Sequence, residues 1–220
     1  MKKEIEYKFD VPLYENERDI LPAVEAIILS NGYIIQNRKK ISRRFTYYDN
    51  QKLDIYKSGG TIRLVEGFDP KLNKGIYRGD IKIGLLDNRF EREFWSSDRA
   101  EVNSALMSYK EEIGIKGILK PVAVAATLHY KFDIVRDSTG IEAVLDNFAI
   151  LGAESFREFE IELKKGNESI LKDLSKIIEN SFGWRRLHQQ KYSRIIEMIF
   201  EHDAMKQPGR DTMGKEDVKP

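Results

Sequence analysis

Residues 4–11, EIEYKFDV, alternate strictly: Ile5, Tyr7 and Phe9 share one parity, and Glu4, Glu6 and Lys8 share the other. Successive side chains of an extended strand point to opposite faces, so this segment predicts a strand with one apolar and one ionised face. Pro12 breaks the pattern. Residues 15–31 then follow a helical period, with Asn16 as cap, Ile20, Val24, Ile27 and Ile28 as the apolar stripe and Gly32 as the stop. Alternation predicts further strands at 33–37, 41–48, 61–67, 76–85, 88–95, 121–137, 141–147 and 155–166. Helical periods return at 98–112, capped by Asp98, and at 167–181 and 189–203. Residues 49–60 read as a loop closed by Gly59-Gly60, and Ser138-Thr139-Gly140 is a hairpin signal.

The polar parity of these strands is mostly ionised. Arg63 alternates with Ile62 and Leu64; Asp80 and Lys82 alternate with Ile81 and Ile83. Arg89, Glu91 and Glu93 oppose Phe90, Arg92 and Phe94, while Glu158, Glu160 and Glu162 oppose Phe159, Ile161 and Leu163. Asp146 follows Val144 on the same parity. One such strand is an ordinary solvated face. Six of them, with little Ser or Thr and with signs segregated by strand, point to a built surface. The helices need an apolar surface to cover, and the opposite parity supplies it. The expectation is an α+β fold: an antiparallel β-barrel with a charged lumen and helices packed outside. No repeat or interior linker appears, so residues 1–203 read as one domain and 204–220, without apolar periodicity, as a disordered tail.

Composition narrows the chemistry. Lys plus Arg number 37 and Asp plus Glu 36, which disfavours a partner bound by bulk charge such as nucleic acid. The absence of cysteine removes disulfides, thiolate metal sites and a thiol nucleophile. The three histidines lack metal-ligand spacing, so a metal site would be carboxylate-rich and suit Mg2+ or Mn2+. No run approaches the roughly 20 apolar residues of a membrane span, and the expectation is a cytoplasmic protein without a membrane partner. Carboxylates beside Lys and Arg in one lumen suit a hard cation together with a polyphosphate.

At this point EIEYK resembles the ExExK signature of the CYTH superfamily, the triphosphate tunnel metalloenzymes. YYDNQKLDIYKSGGTIRL, IKIG followed by RFEREF, AVLDNFAILG, EFEIELK and QQKYSRII resemble later family segments in the family's order, from residue 4 to about 199. The resemblance implies an eight-stranded tunnel, Mg2+ or Mn2+ as cofactor and a small-molecule triphosphate as substrate, with a homodimer left open. It places Glu4, Glu6, Asp146, Glu160 and Glu162 on the metal side and Lys8, Arg63, Lys82 and Arg89 on the triphosphate. It also places Glu91 and Glu93, with Lys8, at the reacting centre, in metal contact or water orientation.

Two departures stand out. The family's second Arg in the TIRL strand is Val65 here, and its Lys-x-Arg before the Leu-Asp segment is nearest to His129-Tyr130-Lys131. One or two phosphate contacts are then lost, moved or taken by Arg43, Arg44 or Lys191; Lys131 is itself a candidate substrate contact, and Arg186 could reach a tunnel mouth. Trp95 and Trp184 read as packing residues. The leading function is a metal-dependent triphosphatase acting on tripolyphosphate or a nucleoside or thiamine triphosphate. A class IV-type adenylate cyclase and a non-catalytic polyphosphate- or nucleotide-binding module are the alternatives.

Overall fold

The computed structural model describes residues 5–69, 74–83 and 90–205. Nine strands and five helices follow in the order β1 (Glu6–Asp10), α1 (Glu17–Ser30), β2 (Ile34–Asp49), α2 (Asp54–Lys57), β3 (Thr61–Asp69), β4 (Lys74–Ile83), β5 (Phe90–Ser96), α3 (Arg99–Glu112), β6 (Lys120–Arg136), β7 (Thr139–Ile150), β8 (Phe156–Lys165), α4 (Glu168–Phe182), β9 (Arg185–Leu187) and α5 (Lys191–Met205). The strands form one antiparallel sheet in the order β5-β4-β3-β2-β6-β7-β8-β1-β9.

Helix boundaries follow local chemistry. The Asn16 side chain accepts from the Arg18 amide, Asp98 from Ala100 and Asn167 from Ser169, each satisfying a first-turn donor. Gly183 ends α4 in the left-handed conformation, and the chain turns directly into β9, a strand the sequence periodicity does not reveal. The two strands expected at 33–37 and 41–48 are one strand, β2, interrupted by a register shift between Gln36 and Lys39 with Asn37 at positive φ. The expected 138–140 hairpin turn is narrower, since β7 already begins at Thr139.

The apolar parity carries the helices. Phe9, Phe132, Ile134, Leu145, Phe159 and Ile161 pack with Ile20, Val24 and Ile28 of α1 and Leu171, Leu174 and Ile178 of α4. Farther along, Ile62, Leu64 and Ile81 pack with Val102 and Leu106 of α3. A cavity of about 780 Å3 includes Leu13, Ser42, Arg43, Phe68, Leu128 and Phe148 in its wall. No helix among the described residues is long and apolar enough to cross a membrane.

Among the described residues the sheet has nine strands rather than eight, and β5 and β9 stand at its two ends without pairing to each other there. One expectation is corrected. The helices do not all lie on the apolar side. Helix α5 crosses the charged parity: Tyr192 stacks on Tyr47 with centroids 5.1 Å apart, and Arg194 lies over Phe156 at 4.3 Å. It can do so because Phe45, Tyr47, Phe148 and Phe156 make one end of that face apolar.

Register between β4 and β5 depends on Gly79, which faces Phe94 across the ladder. A Cβ at Gly79 would stand 2.2 Å from the Phe94 ring, and that ring is held in a stack with Tyr109 of α3. Gly79→Ala is therefore expected to lower stability by about 1–3 kcal/mol through overpacking, measurable by urea denaturation.

Candidate functional site

Cross-strand pairing gathers the ionised parity onto one continuous face. At its acidic end three rungs cross β7, β8 and β1: Glu142–Glu162–Glu6, Val144–Glu160–Lys8 and Asp146–Glu158–Asp10. Like charges directly opposite one another are destabilising, so such a ladder needs intercalated cations. They are present. Lys8 lies 2.6 Å from Glu6 and 3.9 Å from Glu160, and Lys164 lies 2.5 Å from Glu162 and 3.5 Å from Glu142. Lys131 also pairs with Glu142, and Arg194 of α5 reaches Asp10 at 2.6 Å and Glu158 at 3.2 Å.

The tightest junction is made by Lys191, the first residue of α5. Its ammonium donates to Asp146 at 2.9 Å and Glu160 at 3.0 Å, while His129 Nδ1 contacts the other Asp146 oxygen at 2.7 Å. Burial alone would push these carboxyls up. The Lys191 charge outweighs it, holding Asp146, with help from His129, well below the usual carboxylate range. Glu160 is lowered to about 2 by Lys191 and Lys8 against the same burial. Lys191 is raised despite its burial by Asp146 and Glu160. Glu158, by contrast, is raised, because burial exceeds the pull of Lys191 and Arg194.

The basic end is built on β2, β3, β4 and β5. Asp80, only 1% exposed, anchors two guanidinium groups: Arg63 Nε donates at 2.8 Å to Oδ2, and Arg78 Nε lies 2.6 Å from Oδ1 with its Nη2 donating at 2.9 Å to Oδ2. Burial disfavours the Arg63 charge, but Asp80 keeps its pKa raised. Lys82 pairs with Glu91 at 3.2 Å, and Glu93 stands opposite Asp80, 3.6 Å from Arg78. Arg43 of β2 differs from all of these. It forms no salt bridge among the described residues, and its pKa is lowered by burial and then by the charge of Arg78. An arginine short of a counterion beside two others marks a locus of positive potential.

The structure therefore brings Glu6, Lys8, Arg43, Arg63, Lys82, Glu91, Glu93, Lys131, Asp146, Glu160, Glu162 and Lys191 to one face. Glu4 and Arg89 lie outside the described residues. Arg186 is not on this face: its guanidinium donates to Ser175 of α4 and lies 4.5 Å from the Tyr7 ring centre, on the helix-covered side. It pairs with Phe9 rather than with Lys8 or Asp10, and strand parity then turns it away. Arg44 likewise points back, toward Glu66.

Sequence reading missed Arg78, which shares the parity of Asp80 and Lys82 one step earlier. It pairs directly with Val65, so it puts a guanidinium next to the position where the family's second arginine is absent. Asp10 and Arg194 were also missed. Trp95, expected as a packing residue, is 60% exposed, whereas Trp184 is buried as expected.

The oxygen-donor set of Glu6, Asp146, Glu160 and Glu162 suits a hard divalent cation by its chemistry. Among the described residues, no three carboxylate or histidine groups converge to hold one ion, since lysines occupy the positions between them.

No protein-family model matches the sequence, and no curated protein matches it. Solved structures do match the fold. A candidate adenylate cyclase from Bacillus halodurans superposes with a TM-score of 0.60 at 16% identity, covering 88% of this chain and 98% of that one. Another candidate adenylate cyclase, from Vibrio parahaemolyticus, gives a TM-score of 0.52 at 17% identity over 89% and 98%. A Hippeastrum protein, a candidate adenylyl cyclase described as having dominant triphosphatase activity, gives 0.51 at 14% identity over 88% and 95%. The chain thus has a CYTH-type fold, as the sequence resemblance implied.

Proposed function

We propose that the protein is a divalent-metal-dependent triphosphatase that releases orthophosphate from tripolyphosphate or an organic triphosphate, its sheet closing around the charged face as a tunnel. The observation that carries this reading is the cluster of Arg43, Arg63 and Arg78, in which Asp80 holds two guanidinium groups and Arg43 has no salt bridge among the described residues, on the same face as the carboxylates of β1, β7 and β8. Guanidinium groups match phosphate oxygens in geometry and charge. Arg43, Arg63, Arg78 and Lys82 would hold the triphosphate, with Lys8, Lys131 and Lys191 bordering the acidic side. Glu6, Asp146, Glu160 and Glu162, joined by Glu4, would hold Mg2+ or Mn2+. When bound, the metal supplies charge neutralisation at the phosphate oxygens and lowers the pKa of a coordinated water. Glu91 and Glu93 orient the attacking water and accept its proton as a P–O bond forms to the terminal phosphorus. The bridging P–O bond breaks, and the diphosphate portion leaves. The triphosphatase activity of the Hippeastrum protein on the same fold supports this choice.

The test is product analysis with tripolyphosphate, ATP and thiamine triphosphate, each with Mg2+, Mn2+ or EDTA. Metal-dependent orthophosphate release, abolished by EDTA, is expected. Cyclic AMP and diphosphate from ATP would replace this reading with the cyclase. Tight binding without turnover would replace it with a binding module.

A further inference from the structure

Trp95 of β5 stands on the charged face and is 60% exposed there. Its neighbour Phe94 points the other way and stacks on Tyr109 under α3. Strand parity therefore forces the indole onto the ionised side, where burial against a helix is not available to it. It pairs with Arg78, whose guanidinium carbon lies 5.0 Å from the indole ring centre. The same guanidinium is clamped by Asp80, and two residues before Trp95 stands Glu93, opposite Asp80. The indole is thus fixed at the border of the basic cluster, against a cation that is itself rigidly held.

We infer that Trp95 and Arg78 form a stacking shelf for a flat aromatic heterocycle carried on the triphosphate, so that the preferred substrate is an organic triphosphate rather than tripolyphosphate. This rests on the triphosphate reading of the same face. A π-face accepts a nucleobase or a thiamine-type ring without hydrogen-bond readout, and the adjacent guanidinium strengthens the stack. The shelf and the phosphate cluster share Arg78, which sets the ring next to the end of the phosphate chain nearest β4. Val65, directly across from Arg78, is buried and apolar, so Arg78 is the guanidinium of this rung.

The chain has two tryptophans, and Trp184 is buried and stacked on Phe182 at 4.4 Å, so quenching of emission by a bound ring reports on Trp95. Binding is measured by fluorescence and calorimetry with tripolyphosphate, adenylyl imidodiphosphate and thiamine triphosphate, each with Mg2+. The ring-bearing ligands are expected to quench emission and tripolyphosphate is not. Trp95→Ala should weaken the preferred ring-bearing ligand about tenfold, with tripolyphosphate changed less than twofold, and Trp95→Phe should restore most of the loss. The ligand that responds more strongly identifies the ring. If all three bind and Trp95→Ala leaves the ring-bearing ligands unchanged, or weakens all three alike, the shelf is wrong and the triphosphate reading stands. If none binds, both are wrong.

Discussion

Replacing Asp80 by alanine is expected to destabilise the protein by about 3–5 kcal/mol, the cost of stranding a buried charge without its partner. Two guanidinium groups lose their buried partner here, because Arg63 and Arg78 both lean on this one carboxylate and are themselves largely buried, and Arg78 keeps Glu93 at 3.6 Å. Arg43, whose pKa the charge of Arg78 already lowers, would then stand in a more positive cluster. Urea denaturation at pH 7 gives the magnitude. Added tripolyphosphate should recover more stability in Asp80→Ala than in the parent, since the anion supplies the missing negative charge. A loss below about 1 kcal/mol would show that the arginines do not depend on Asp80.

The second large effect is expected at Lys191. Lys191→Met keeps most of the side-chain volume but leaves Asp146 and Glu160 facing each other with one fewer cation. A loss of about 3–5 kcal/mol at pH 7 in EDTA is expected. The pH dependence identifies the cause. In the parent, Asp146 and Glu160 titrate lower when folded than the ordinary unfolded values of about 4, so the stability they contribute is present above about pH 5. It is lost as pH falls through about 4 toward 2 and below. Without Lys191 the folded values rise toward or past the unfolded ones, so the acid limb of the stability curve should flatten or reverse. Urea midpoints between pH 3 and 7 measure both limbs. An unchanged acid limb would place the depression in groups other than Lys191. Divalent cations should stabilise Lys191→Met more than the parent, since the acids no longer have a resident ammonium.

Much of the fold was legible from spacing. Asn16, Asp98 and the 3.6-residue stripes located α1 and α3, because caps and amphipathic faces act within a few residues. The two-residue parity of β1, β3, β4, β5 and β8 correctly separated ionised from apolar faces, because a strand's pleat is a local property. The same rule could have found Arg78, one step earlier on the parity of Asp80. It could not have placed Arg186, because β9 has three residues and its face is set by which residue of β1 it pairs with. Nor could it settle Trp95, since an aromatic side chain in an edge strand is buried or exposed according to whether a helix happens to lie over that side.

The sequence by itself determined which residues of each strand share a face, which of those faces are ionised, and that the apolar faces must be covered by helices. All of these follow from short-range geometry and from the cost of leaving apolar surface in water. The tertiary structure alone decided which ionised groups meet. Lys191 joins Asp146 and Glu160, separated from it by 45 and 31 positions in the chain, and Asp80 gathers Arg63 from 17 positions away. It also decided that α5 lies on the charged face and that the observed sheet ends at β5 and β9. Those outcomes depend on strand order and inter-strand register, which are set by the summed packing of distant segments rather than by any local pattern.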